Sequence, residues 1–144
     1  MATSPKNSCI YCSLALEGDR TAGVMYEDER VVAIKEPNPA AEHHFVIIPR
    51  KHVPSYNDLT EDDISLLEHM KAVGNNLILN QVGPQQDTLL GFLPKALSSV
   101  AHLNMQCVTL PLTCGWVRSL AYKPLVFFTI DDLIGEVKES CYNL

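Results

Sequence analysis

The chain has 144 residues, 47% of them hydrophobic and 19% charged, with a formal net charge of −6 at pH 7. That length suits one domain with a real hydrophobic core, and the composition excludes disorder. Its 11 Lys and Arg are scattered rather than clustered, which argues against a nucleic-acid groove and toward a small ligand or a protein partner.

Residues 1–8 read as an N-terminal tail without an apolar signal core, and residues 9–144 as a single domain. Cys9 and Cys12 follow the tail at a spacing that lets both sulfurs face one ion. With the later His52 and His102 they complete a four-ligand set of zinc type, although the same spacing also suits a redox pair or arises by coincidence. Five cysteines are an odd count for a disulfide framework, so Cys107, Cys114 and Cys141 read as free thiols.

Two apolar segments, 24–26 and 31–34, flank the charged turn 27–30 and predict a hairpin. Residues 45–48 are rich in β-branched side chains and stop at Pro49, which predicts a strand buried on both faces. Thr60 with Asp63 resembles a capping box, and Ile64, Leu67, Val73 and Leu77 form the stripe of a helix over 61–80. That helix carries apolar residues beyond one core face, including Met70 and Leu79, which favours a homodimer. Residues 89–93 and 103–110 predict two more strands, and Thr129 with Asp131 and Asp132 opens a short C-terminal helix. The expected fold is α+β: a mainly antiparallel five-stranded sheet, one long helix and a short final one. No apolar run, 45–48 and 125–128 included, is long enough to span a bilayer, so a cytoplasmic or nuclear location without membrane contact is expected.

On the strand that begins at His102, alternation sets His102, Asn104, Gln106 and Val108 on one face and Leu103, Met105 and Cys107 on the other. A row of three polar side chains is either the solvated face of a half-exposed strand or part of a site. His43 and His44 stand just before the buried third strand, where they read as loop-edge histidines, and Arg50-Lys51-His52 stand just after it.

Together these blocks resemble the histidine triad (HIT) family of nucleotide-binding proteins over nearly the whole chain. Cys9-Ile10-Tyr11-Cys12, the stretch from Glu36 through His44 and Pro49 to His52, and Ser98-Ser99-Val100-Ala101-His102 occur in the family's order. The segment from Phe127 to Ile134 is similar to a eukaryotic branch with a C-terminal extension. The resemblance implies a structural zinc on Cys9, Cys12, His52 and His102 and a homodimer. It also implies a purine nucleoside monophosphate site. There Tyr11 and Leu14 would sandwich the base, Glu36 would take the ribose-binding position, Ser99 the phosphate contact, and His44 would stand near the leaving group. The plainer readings are core packing for Tyr11 and Leu14 and a solvated turn acid for Glu36.

The departures from the family pattern concern the chemistry. Where an active member reads His-φ-His-φ-His, this chain reads His102-Leu103-Asn104-Met105-Gln106. The middle histidine is the residue that forms the covalent nucleotidyl intermediate, and Asn104 stands there. A carboxamide nitrogen has its lone pair delocalised into the carbonyl and cannot attack phosphorus. Gln106 is a gentler change, since its amide can still donate to a phosphate oxygen, and Leu93 stands where the resembled branch has a histidine. The expectation is a zinc-stabilised, non-hydrolytic nucleotide-binding or protein-interaction module with no intact catalytic residue. The alternative is an active nucleoside phosphoramidase or nucleotidyl hydrolase. An Asn104 engineered to trap substrate is disfavoured by the accompanying Gln106 and Leu93.

Overall fold

A computed structural model of the chain describes residues 23–94, 97 and 101–142. Cys9, Tyr11, Cys12, Leu14 and Ser99 lie outside the described residues, as do the 1–8 tail and Cys141's side chain. In chain order the elements are β1 (Val24–Glu27), β2 (Val31–Lys35), β3 (His44–Pro49), α1 (Ile64–Gln81), β4 (Thr88–Phe92), β5 (Met105–Thr109), α2 (Trp116–Ser119), β6 (Phe128–Thr129) and α3 (Ile130–Tyr142).

The predicted hairpin forms because Asp28 closes it: its Oδ1 accepts from the backbone N–H of Arg30 at 2.8 Å and of Val31 at 2.9 Å. This is the local side-chain-to-backbone bonding that favours Asp in turns. Every strand pairing is antiparallel, and the sheet runs β1-β2-β3-β5-β4-β6. β3 and β5 are therefore central neighbours, with His44 opposite Val108 and Val46 opposite Gln106. All six residues of β3 are buried, as its apolar run predicts.

Alternation along β3 and β5 divides the molecule. Phe45, Ile47, Met105 and Cys107 point toward α1 and α3 and join Leu67, Met70 and Leu133 in the main core. Val46 and Ile48 pack with Val32 and Ile34 in a second cluster, and Val108 packs with Ala40, Ala41, Tyr122 and Phe127 in a third. The face away from α1 and α3 is the one that carries His44 and Gln106.

Three details depart from the sequence reading. A sixth strand, β6, adds two residues beyond β4, and Gly91 is what admits it. A Cβ at Gly91 would run into the Phe128 carbonyl oxygen and stand 2.8 Å from Thr129 Cα, so only glycine lets the two backbones approach this closely. The four-residue α2 also lies in a stretch with no predicted element. Met70, counted among surplus apolar residues that favour a dimer, is fully buried in the core, whereas Leu79 is 51% exposed. The expected helix is otherwise present: Thr60 N–H donates to Asp63 Oδ2 at 2.9 Å ahead of α1, and Gly83 at φ 105° follows its end. Among the described residues no helix is long and apolar enough to cross a membrane.

Candidate functional site

The central pair β3–β5 sets His44 and Gln106 diagonally across one another on the face opposite α1. Both are buried, and His44 Nε2 lies 2.6 Å from Gln106 Oε1. A continuous series of hydrogen bonds runs through them. Ala40 N–H meets His44 Nδ1 at 2.9 Å, Gln106 Nε2 donates to Asn104 Oδ1 at 2.7 Å, and Asn104 Nδ2 donates to the His102 carbonyl at 2.9 Å.

The direction of this relay is fixed at both ends by backbone groups of unambiguous polarity. Ala40 N–H can only donate, so His44 Nδ1 accepts and the ring proton sits on Nε2. The His102 carbonyl can only accept, so Asn104 turns its amide nitrogen toward it and its oxygen toward Gln106. Both carboxamides and the imidazole are then oriented without a free choice, and bonds aligned in one direction polarise one another. Burial is the main reason His44's pKa lies below its ordinary value. The Arg118 cation acts the same way, while the Gln106 bond and the Glu36 carboxylate act against both. His44 is therefore a neutral imidazole at pH 7.

The polar row on the His102 strand is thus not a solvated face. Gln106 and Val108 are buried, and regular strand begins only at Met105, leaving His102 to Asn104 as the approach to it. His44 is the first residue of β3 and is buried, so it is not a loop histidine. His43 is half-buried, with Glu42 at 3.9 Å. Glu36 lies at the end of β2, its Oε1 accepting from Asn38 N–H at 3.3 Å and its N–H donating to the His44 carbonyl at 2.9 Å. Cys107, the nearest thiol in sequence, faces the helix side with no exposure, and burial pushes its pKa up.

His52 and His102 form a second group beside the relay. Their Nδ1 atoms are 3.0 Å apart, and His102 Nε2 lies 2.8 Å from the Pro49 carbonyl. That carbonyl requires the His102 proton on Nε2, which leaves the Nδ1 lone pair facing His52. An imidazole tied to a backbone carbonyl in this way is the usual arrangement of a metal ligand, and two converging Nδ1 atoms suit adjacent corners of a tetrahedral zinc site. Among the described residues no group of three or more His, Cys, Asp or Glu converges on one point.

Sequence reading missed Arg118, Tyr122 and the Ala40 amide. The Tyr122 ring meets His44 edge-on, with centroids 6.4 Å apart and planes at 83°. The available signal was a lone arginine among Trp116, Val117, Leu120 and Tyr122, a cation in an otherwise apolar stretch.

A six-stranded antiparallel sheet packed on one face by α1 and α3, with a histidine at the head of a central strand, defines an α+β domain. The family model described as "Scavenger mRNA decapping enzyme C-term binding" matches residues 8–120. The chain belongs to this histidine triad family. It is similar to the bifunctional adenosine 5'-phosphosulfate phosphorylase/adenylylsulfatase HINT4 of Arabidopsis thaliana, with 36% identity over 120 residues, 82% of this chain and 80% of that protein. The adenosine 5'-monophosphoramidase HINT3 of Xenopus tropicalis is 30% identical over 136 residues, covering 92% and 89%. A HIT family hydrolase from Legionella pneumophila shares the fold with a TM-score of 0.64 at 24% identity, over 75% of this chain and 96% of that one.

The expectation of no nucleic-acid partner is overturned. Aprataxin of Ciona intestinalis is 33% identical over 86 residues, 60% of this chain and 23% of that protein. An aprataxin ortholog, Hnt3, in complex with DNA shares the fold with a TM-score of 0.64 at 20% identity, over 83% of this chain and 70% of that one. A second Hnt3 structure holds DNA and guanosine. Net charge averages over a whole surface, and it does not exclude a local contact with a strand.

Proposed function

We propose that this protein binds an adenosine 5'-nucleotide on the β3–β5 face and does not process it through a covalent intermediate. The single observation that carries this reading is the relay. Asn104 stands in the attacking position, and both ends of its carboxamide are already engaged, with the His102 carbonyl and with Gln106. The only proton on neutral His44 is held by Gln106 Oε1. A site that forms a nucleotidyl intermediate needs an attacking lone pair and a proton for the leaving group. Here the first is missing and the second is committed, and Cys107 is buried on the other face. The adenosine class rests on the names of the two relatives, both of which act on adenosine 5'-nucleotides. Tyr11 and Leu14 at the base, Glu36 at the ribose and Ser99 with Gln106 at the phosphate complete the proposed site.

Zinc belongs to the same proposal. The facing Nδ1 atoms of His52 and His102 would be joined by the thiolates of Cys9 and Cys12. Four protein ligands leave no open position for water, so the metal would serve structure, tying the start of the chain to β3 and β5.

The second reading is an active phosphoramidase or nucleotidyl hydrolase, favoured by the enzymatic names of those relatives. Calorimetric titration with adenosine 5'-monophosphate, guanosine 5'-monophosphate and a short DNA duplex, beside a turnover assay, separates the two. Saturable binding of adenosine 5'-monophosphate without turnover supports the first, and turnover supports the second. No heat with either mononucleotide contradicts the nucleotide site itself.

A further inference from the structure

The loop between β2 and β3 delivers the amide that sets the whole relay, and it is poorly able to hold itself. Pro37 and Pro39 have no N–H, so in the stretch 37–40 only Asn38 and Ala40 can donate. Asn38 N–H goes to Glu36 and Ala40 N–H goes to His44. The carbonyls of the loop must be satisfied from elsewhere.

For the carbonyls of Asn38, Pro39 and Ala40, the partners among the described residues come from the segment after β5. The Ala40 carbonyl accepts from Thr113 N–H at 2.8 Å and Cys114 N–H at 3.1 Å, and Ala41 forms a bridge with Leu112. Arg118, on the four-residue α2, places Nη2 2.6 Å from the Asn38 carbonyl and Nη1 3.4 Å from the Pro39 carbonyl. Three consecutive carbonyls are thus held by one strap. Two of them are held by a single guanidinium fork, whose fixed geometry suits paired oxygens in a way an ammonium does not.

The geometry points to Arg118 as a positioning residue: by gripping the Asn38 and Pro39 carbonyls it aims the Ala40 amide at His44 Nδ1 and so fixes the tautomer that orients Gln106 and Asn104. Arg118 also faces His44 electrostatically, opposed by Glu36, with the Tyr122 ring packed against the imidazole edge. Shape and charge are separable by substitution. Arg118→Lys keeps the cation and loses the fork, whereas Arg118→Ala loses both.

The test is long-range proton–nitrogen NMR of the histidine rings at pH 8 in the full chain, with His44 assigned by difference from His44→Asn. The parent protein should show His44 with its proton on Nε2. Arg118→Lys should give a mixture of Nε2-H and Nδ1-H forms with a nearly unchanged titration midpoint. Arg118→Ala should give the mixture together with a small upward move of the midpoint, since burial, the main cause of the depression, remains and the cation that adds to it is gone. If Arg118→Ala lowers the melting temperature yet keeps the parent tautomer and midpoint, Arg118 is a structural clamp only and the inference fails. Should Arg118→Ala not fold, a parent-like tautomer in Arg118→Lys overturns the inference in the same way. Adenosine 5'-monophosphate affinity, measured on the same samples, is the only arm that rests on the nucleotide reading. A tautomer change with no binding in any sample sinks that reading and leaves Arg118's role standing.

Discussion

His44 and Gln106 meet at 2.6 Å across the centre of the sheet, and the contact joins a backbone donor at Ala40 to a backbone acceptor at His102 through three side chains. Since both ends are fixed, a change at any one member leaves a neighbour without its partner. That property gives the relay measurable consequences for stability as well as for ligand binding.

Gln106→Leu keeps approximate volume and removes both hydrogen-bonding groups. His44 Nε2–H and Asn104 Oδ1 then lose their partners at a buried position. An unsatisfied buried group costs roughly 1–3 kcal/mol, so urea unfolding should show a loss of at least that size with an unchanged m-value. A loss near zero would mean that water satisfies both groups and that the relay is not a closed unit.

Acid should weaken the fold before the carboxylates titrate. His44 is held neutral by burial, with a folded pKa below the ordinary 6.5. Between the two values the unfolded chain binds more protons than the native one, so this contribution is complete above 6.5 and is lost as pH falls through the folded value. Asp28 and Asp63, which hydrogen bonds lower despite their burial, act only further down, below 3.8. Unfolding free energies measured from pH 8 to 5 should fall for the parent protein and fall less for His44→Asn. Equal slopes would contradict a buried neutral His44.

Gly91→Ala tests the strand that the sequence did not reveal. The added Cβ would meet the backbone of β6, which cannot rotate away as a side chain would. Overpacking of this kind costs typically about 1–3 kcal/mol. The loss should be accompanied by faster amide exchange in α3, which follows β6 directly. Unchanged exchange there would show that α3 docks independently of β6.

The metal has its own check. One zinc per chain is expected by elemental analysis of protein purified without chelator, falling to none in Cys12→Ser. A metal-free parent protein, or a Cys9–Cys12 disulfide under reducing conditions, would rule the zinc site out.

What the sequence disclosed, and what it did not, follows from the range of each interaction. The hairpin around Asp28, the capped α1 and the buried β3 were legible because each is set by residues within a few positions of one another. The alternation that separated Gln106 from Cys107 was legible for the same reason, and burial places Cys107 on the helix side as expected. β6 was not, since two residues carry no periodicity and their pairing depends on the missing Cβ at Gly91, far from Phe128 in the chain. The relay was half legible: His44, Asn104 and Gln106 were singled out by resemblance. Their connection, however, runs through a backbone amide at Ala40 that no side-chain pattern marks. Arg118 is 80 positions from Asn38, a contact that only the folded chain brings together.

Under the proposed function, Asn104 leaves the site able to hold a nucleotide and unable to process it. The most direct measurement is turnover of adenosine 5'-monophosphoramidate by the parent protein, followed to adenosine 5'-monophosphate and paired with intact mass after mixing. Release no faster than a zinc and buffer control, with no nucleotidyl adduct, is the predicted result. Steady turnover that persists in Asn104→Ala would contradict the claim, because the chemistry would then run through a group other than the one in the triad's central position.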